Sequence, residues 1–260
     1  MALRRDQLRL VYQPIVDLRD GRILAVEALL RWDHPQRGVV GPNITVPLAE
    51  RTGLILDIGE WVLRQSCQDH QRWARRYGPS AVSQVAVNVS ARQVMGPAFA
   101  ATVARVLTET GSDPASVFLE VTESLFLDDP DRAAAVLHEV KDLGVGLSLD
   151  DFGVGYSSLN YLRRFPFDVI KIDRSFIGAL GGEFAARSIV ASVIELAHAL
   201  HLTSVAEGAE TRDQYRKVID LGSDRAQGYH LSHPLSAIDL EQQLFQSAAG
   251  SPVRLPNAQR

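Results

Sequence analysis

The chain has 260 residues, 46% of them hydrophobic and 22% charged, and its 31 acidic against 27 basic residues give a formal charge of −4. That apolar share excludes a disordered chain, and the single cysteine, Cys67, excludes a disulfide scaffold. The acidic balance argues against a polymeric nucleic-acid partner, and no run of about 18 apolar residues is present to enter a membrane.

The length fits two small domains or one α/β barrel. At the N-terminus Arg4 and Arg5 are followed by Asp6, Gln7 and Arg9, where a signal peptide would be apolar. We expect a cytoplasmic domain, free or as part of a larger membrane-anchored protein. β-Formers predict a first strand over 10–16 and a second over 23–30, separated by Asp20-Gly21. A two-residue Asp-Gly connection implies an antiparallel hairpin. Helical spacing of Ile55, Ile58, Trp61, Val62, Gln65 and Trp73 predicts a helix over 54–77. Strands follow over 82–89, 117–121, 145–149, 167–172, 203–206 and 225–229. Helices are predicted over 97–110, 130–143, 183–200, 211–221 and 237–246. About eight strands with helices between most of them is the count of a TIM-type barrel. The fold class is therefore α/β, a modified (β/α)8 barrel with an antiparallel first strand pair. It fills residues 1–250, and 251–260 are expected to be a loose tail.

Nearly every strand after the first carries a polar residue near its C-terminal end. The set is Glu27, Asn88, Glu120, Asp150-Asp151, Lys171, Glu207 and Gln227. Strand ends of a barrel converge on one face, so residues spread over about 200 positions would meet there. Caps and turn formers account for any one of them. A succession of acids calls for cations, because buried carboxylates repel one another. Carboxylate and amide oxygens are hard donors that suit Mg²⁺ or Mn²⁺ better than zinc. None of the seven histidines falls in the set. The adjacent pair Asp150-Asp151 could flank two cations, the usual device for attack of water on a phosphodiester. Lys171, between isoleucines, would orient that water or neutralise charge. Arg31 reads as a phosphate contact or a surface ion pair. Gly153 and Gly155 mark a loop after the acid pair, and His230 and His233 read as loop residues.

At these residues the sequence resembles the EAL-domain family, the cyclic-di-GMP-specific phosphodiesterases of bacteria. The resemblance covers about 10–240. It rests on Tyr12-Gln13-Pro14-Ile15, Glu27-Ala28-Leu29-Leu30-Arg31-Trp32, His34-Pro35, Pro47-Leu48-Ala49-Glu50 and Asn88-Val89-Ser90. It continues through Glu120-Val121-Thr122-Glu123-Ser124, residues 150–158, Lys171-Ile172-Asp173-Arg174-Ser175-Phe176, Ala206-Glu207-Gly208-Ala209-Glu210 and Gln227-Gly228-Tyr229. It implies hydrolysis of cyclic di-GMP to linear pGpG, with two Mg²⁺ or Mn²⁺ ions per active site. One ion would be held by Glu27, Asn88, Glu120 and Asp150, the other by Asp150, Asp151 and Glu207. Glu27, Lys171, Glu207 and Asp151 would be catalytic, with Lys171 positioning water. Gln13, Leu30, Arg31, Asn88, Asp173, Glu210 and Gln227 would hold the substrate. Glu123 would support the loop after Asp151, which links the metal site to a homodimer interface.

The sequence departs from the family pattern at four places. Val154 replaces a threonine of that loop, Thr45-Val46-Pro47 replaces Phe-Ile-Pro near the substrate entrance, Ala209 replaces valine, and His233 replaces arginine. Val154 and Thr45 motivate an alternative, a weak or inactive domain that serves as a cyclic-di-GMP receptor. A protein-interaction role without nucleotide would leave the acid set unexplained. Because the chain starts at the first strand, sensory or diguanylate-cyclase modules are expected in a longer parent chain.

Overall fold

A computed structural model describes residues 2–127, 129–153, 159–181 and 184–245, together with Val253 and Leu255. β1 (Leu8–Asp17) and β2 (Ile23–His34) form the expected antiparallel pair, in register from Leu8↔Trp32 to Val16↔Ile23. Their connection is longer than the two-residue turn read from Asp20-Gly21. It runs from Leu18 to Arg22, with the Gly21 N–H donating to the Asp17 carbonyl and the Asp17 N–H to that of Arg22. β3 (Gly38–Val40) extends the hairpin antiparallel to the end of β2. α1 (Pro42–Thr52) and α2 (Ile55–Tyr77) then cross to β4 (Gln84–Asn88).

Next come α3 (Ala91–Val94), α4 (Phe99–Thr110), β5 (Val117–Thr122), α5 (Pro130–Asp142), β6 (Gly146–Phe152) and α6 (Leu159–Arg164). The last third holds β7 (Val169–Ile172), α7 (Arg174–Ala179), α8 (Phe184–Ala199), β8 (Thr203–Glu207), α9 (Arg212–Asp220), β9 (Arg225–Gln227), β10 (Leu235–Ser236) and α10 (Ala237–Leu240).

β2, β4, β5, β6, β7, β8 and β9 pair in parallel in that order, and β1 closes the ring antiparallel to both β2 and β9. The result is a closed eight-stranded barrel with one reversed strand. β3 and β10 lie outside the ring, and neither is in the sequence-based list of strands. The barrel interior is layered, as the period of two along a strand requires. Ile15, Ala25, Val169 and Val205 form an apolar floor with Phe118 against it. Gly146 faces the same layer: a Cβ there would stand 2.3 Å from the Phe118 ring, so only glycine leaves room for it. Two residues further along β2, β5, β7 and β8 come Glu27, Glu120, Lys171 and Glu207.

The helices pack by their apolar stripes. On α2 the buried residues Ile55, Ile58, Val62, Ser66, Asp69 and Trp73 recur every three or four positions. One polar member of that stripe has work to do in the core. Asp69 accepts the Tyr12 hydroxyl at 2.5 Å, which ties α2 to β1, and Arg72 pairs with Asp69 from one turn on. α1 runs against its own propensities, with Gly41 as an uncapped N-terminus and Pro47 inside, so no helix is legible there from sequence.

The expected final helix over 237–246 opens after Leu240 into a π-helical turn, Glu241–Phe245; residue 246 lies outside the described residues. The wide turn carries Glu241 and Phe245 onto α2. The Glu241 carboxylate accepts from Trp73 Nε1 and Tyr77 Oη, each at 3.0 Å, and pairs with Arg72 and Arg76 at 3.2 and 3.3 Å. The fully buried Trp73 ring meets Tyr12 and Phe245 edge-on, at 4.8 and 5.6 Å. Of the segment expected as a loose tail, Val253 and Leu255 are buried in the core, and the Val253 carbonyl accepts from the Ile23 N–H; the rest lies outside the described residues. Among the described residues no helix is long and apolar enough to cross a membrane.

Burial pushes the Glu241 carboxyl up, but hydrogen bonds from Tyr77, Trp73 and Arg72 outweigh it and hold it below its ordinary value of 4.5. A depressed native value means stability that is complete above about pH 4.5 and is lost as pH falls through the native value. Glu241→Ala leaves the buried Trp73 Nε1 and the half-buried Tyr77 hydroxyl without their acceptor and should cost about 2–4 kcal/mol in urea unfolding at neutral pH. Glu241→Gln should unfold at lower urea than the natural protein above pH 5 or so, with the gap closing in acid. A gap that stays constant down to acid pH would show that the charge of Glu241 does not stabilise the fold.

Candidate active site

The second inward layer of the barrel is polar. Glu27 of β2 is buried, its Oε1 accepting from Asn88 Nδ2 at 2.6 Å and its Oε2 from Gln227 Nε2 at 2.7 Å. Gln227 Nε2 also donates to Gln13 Oε1 at 2.9 Å, and Gln13 Nε2 donates to the Ser232 carbonyl at 3.1 Å. Amides from β1, β4 and β9 thus fix one carboxylate of β2. Register explains the meeting: Gln13 lies opposite Glu27, Asn88 pairs with Glu120, and Glu207 pairs with Gln227.

Lys171 of β7 is 1% exposed and stands among four carboxylates. Its Nζ lies 2.6 Å from Glu207, 2.8 Å from Glu120, 3.2 Å from Asp150 and 3.5 Å from Glu27. The ammonium ends inside the barrel, not at its surface. Burial alone would lower the Lys171 ammonium, but Asp150, Glu120, Glu207 and Glu27 together raise it well above its ordinary value. Burial pushes Glu27 up as well; Lys171, Gln227 and Asn88 outweigh it and bring that carboxyl below its ordinary value. The same lysine cannot serve every acid. Burial, with Glu27 and Asp150 adding repulsion against the pull of Lys171, leaves Glu120 well above the usual range. Glu207 is pushed up to about 8 by burial and by Asp150 and Glu27.

Asp150 and Asp151 are neighbours, and neighbours on a regular strand face opposite ways. Here the β6–β7 register breaks between Leu149 and Phe152, and Asp151 takes φ +54, a left-handed conformation that aspartate tolerates better than most residues. The Asp151 N–H donates to Asp150 Oδ1 at 3.0 Å. The bulge brings both carboxylates to one side, where Asp150, Asp151 and Glu207 each offer an oxygen within 4.8 Å of the others. Shielding from water, then Asp150 and Asp173, pushes Asp151 up to about 6. Hard oxygen donors in excess of the local positive charge fit a hard divalent cation.

The remaining expected residues divide. Glu210 joins Glu27, Asp150 and Glu207 in the wall of a cavity of about 150 Å³ over the cluster, with Gln13 and Gln227 at its base. Leu30 is buried in the core, and Arg31 is half-buried with one guanidinium N–H on the Leu30 carbonyl at 2.9 Å; neither lines that cavity. Asp173 is turned to another task, capping α7 through the Ser175 N–H at 2.9 Å. Glu123 Oε1 accepts the Gly153 N–H at 3.2 Å, a contact of the kind loop support requires. Val154 and the rest of that loop, 154–158, lie outside the described residues. Thr45 is buried, donates to the Gly41 carbonyl at 3.0 Å and lines a separate cavity of about 340 Å³ with Trp32, Leu48 and Ile58. Ala209 is fully buried, and the His233 ring lies 4.3 Å from that of Tyr229. Two cavity residues, Arg174 and Tyr229, were quoted in motifs but given no role by sequence reasoning. Their signal was position alone, each two or three residues past an inward-facing strand end.

A sequence profile of the EAL domain matches residues 1–234. The chain belongs to the EAL domain family. This EAL domain is 43% identical over 239 residues to the bifunctional diguanylate cyclase/cyclic di-GMP phosphodiesterase MucR of Pseudomonas aeruginosa, covering 92% of this chain and 35% of MucR. It is 40% identical over 258 residues to the cyclic di-GMP phosphodiesterase NbdA of the same species, covering 98% of this chain and 33% of NbdA. The chain thus spans about a third of the length of these curated relatives. Among solved structures, the PaMucR phosphodiesterase in complex with c-di-GMP superposes with a TM-score of 0.88 at 43% identity, over 92% of this chain and 96% of that one.

Excess Mn²⁺ or Mg²⁺ should raise the melting temperature of this EAL domain, since a ligand of the native state stabilises by about 2.7 kcal/mol at a hundred times its Kd. Asp150→Asn should shrink that rise. Lys171→Met should cost about 3–5 kcal/mol without added cation, because it strands buried carboxylates. A natural protein whose melting temperature ignores both cations would refute cation binding at the cluster.

Proposed function

We propose that this EAL domain hydrolyses one phosphodiester bond of cyclic di-GMP to linear pGpG and so lowers the level of this bacterial messenger. One observation carries the reading: a buried lysine ringed by carboxylates at the mouth of an EAL barrel, in a chain 43% identical to a cyclic di-GMP phosphodiesterase. Glu27, Asn88, Glu120 and Asp150 would hold one Mg²⁺ or Mn²⁺, and Asp150, Asp151 and Glu207 a second. Bound there, the cations supply Lewis-acid polarisation of a phosphoryl oxygen and increase the acidity of water.

The chain's own residues do the rest. Lys171, held by four carboxylates, orients the attacking water through its N–H groups and cannot drift away. Gln227 and Asn88 hold Glu27 in one rotamer, so its oxygens stay fixed during the reaction. Gln13, Glu210 and Gln227, which line the cavity, would contact the substrate together with Asn88, Leu30, Arg31 and Asp173. Oxygen of water bonds to phosphorus as the bond from phosphorus to the 3′ oxygen breaks, and that oxygen leaves with a proton. Glu123 holds the loop after Asp151 through Gly153, and that loop serves a homodimer. Sensory or cyclase modules in a longer chain would supply the input.

The reading predicts Mn²⁺- or Mg²⁺-dependent conversion of cyclic di-GMP to pGpG, followed by chromatography, and reduced to background by Glu27→Ala. No turnover with either cation at high enzyme concentration would refute it. Tight calorimetric binding with the nucleotide intact after prolonged incubation would instead establish a receptor.

A further inference from the structure

A cyclic dinucleotide carries two phosphates, and only one is cut. The cavity over the acid cluster has Glu27, Asp150, Glu207 and Glu210 in its walls. Among the described residues that line it, Arg174 is the one cation. Lys171 lies beneath, and its ammonium is already committed to carboxylates. Arg174 is different. It is exposed, and its side chain makes no ion pair or hydrogen bond with any described residue. A guanidinium presented free at the wall of a site is a ready bidentate partner for a phosphate.

Its position is built rather than incidental. Arg174 follows the strand end of β7 and packs against the residue after Glu207. That residue is Gly208, at φ +73, where a Cβ would stand 2.5 Å from the Arg174 Cβ and 3.2 Å from its Cα. Only glycine suits both the backbone conformation and the approach. The stem of Arg174 is therefore seated against the end of β8, one residue past Glu207, while its head has no partner among the described residues.

Resting on the proposed phosphodiesterase reading, we infer that Arg174 takes the second, uncut phosphate of the cyclic dinucleotide. It is then a specificity-determining residue. It distinguishes a substrate with two phosphates from a simple phosphodiester, and it acts on binding, not on the reacting phosphorus.

The test compares cyclic di-GMP with bis(p-nitrophenyl) phosphate, which has one phosphate. Arg174→Gln should lower kcat/KM for cyclic di-GMP roughly tenfold or more, through KM, as expected for loss of a charge-assisted hydrogen-bonded contact. It should leave turnover of bis(p-nitrophenyl) phosphate within about twofold. Arg174→Lys should recover part of the loss, and melting temperatures should agree among the three proteins. Equal losses on both substrates, or no loss on either, would overturn the inference. Should the natural protein cleave neither substrate, the phosphodiesterase reading fails by itself, and calorimetric titration with cyclic di-GMP decides the role of Arg174. Weakening of roughly tenfold in Arg174→Gln then supports it; equal affinity, or no binding by the natural protein, overturns it.

Discussion

The ammonium of Lys171 is the contact on which the site depends. It comes within 3.5 Å of carboxylates from β2, β5, β6 and β8 and is sealed from water. Buried charges are costly unless paired, and here one cation meets an excess of anions. The imbalance is visible in the acids themselves. Glu27, supported by two amides as well as the lysine, stays ionised below its usual range, whereas Glu120 and Glu207 are driven upward. An apolar barrel core would be the more stable arrangement. The polar layer makes sense if the unmet negative charge has a use, and a divalent cation is the kind of partner that would meet it.

Everything else in the barrel serves to bring these groups to one layer. Parallel pairing aligns the ends of β2 and β4 through β9, and a period of two decides which side chains enter. Glu27, Glu120, Lys171 and Glu207 each follow an inward apolar residue by two positions. The single exception is the acid pair, since two successive residues cannot both face inward on a regular strand. The bulge at Asp151, with its positive φ, solves that problem locally. The strain is confined to one residue whose short polar side chain tolerates it, and the donor set gains a third oxygen.

Much of this could be read from the chain. Strand ends rich in acids stand out because carboxylates disfavour strands, and Glu27, Glu120, Lys171 and Glu207 arrive where that pattern places them. The reversed first strand was legible from Asp20-Gly21, although the turn is longer than two residues. What could not be read is what depends on contacts distant in sequence. α1 forms although Gly41 and Pro47 oppose it, because its stabilisation comes from packing rather than propensity. The opening of the last helix at Glu241 answers Trp73 and Tyr77, more than 160 positions away. Asp173 shows the converse. It sits in a recognisable motif, yet in this structure its carboxylate caps α7.

The same logic explains how a chain of net charge −4 can present a site for an anion. Net charge governs long-range encounter, while recognition is settled over a few ångströms. At the barrel mouth the acids offer a site for a cation, which would reverse the local sign. Arg174 and Arg31 stand outside the cluster and keep their charge for other partners. Gly208 is the link between the two arrangements. By having no side chain, it lets the arginine past one strand end close against the backbone at the end of the next. Had Arg174 reached Glu207, it would have cancelled the charge that makes the cluster attractive to a cation, and lost its own. Keeping the two unpaired leaves both a cation-seeking centre and a phosphate-seeking wall to one cavity of about 150 Å³.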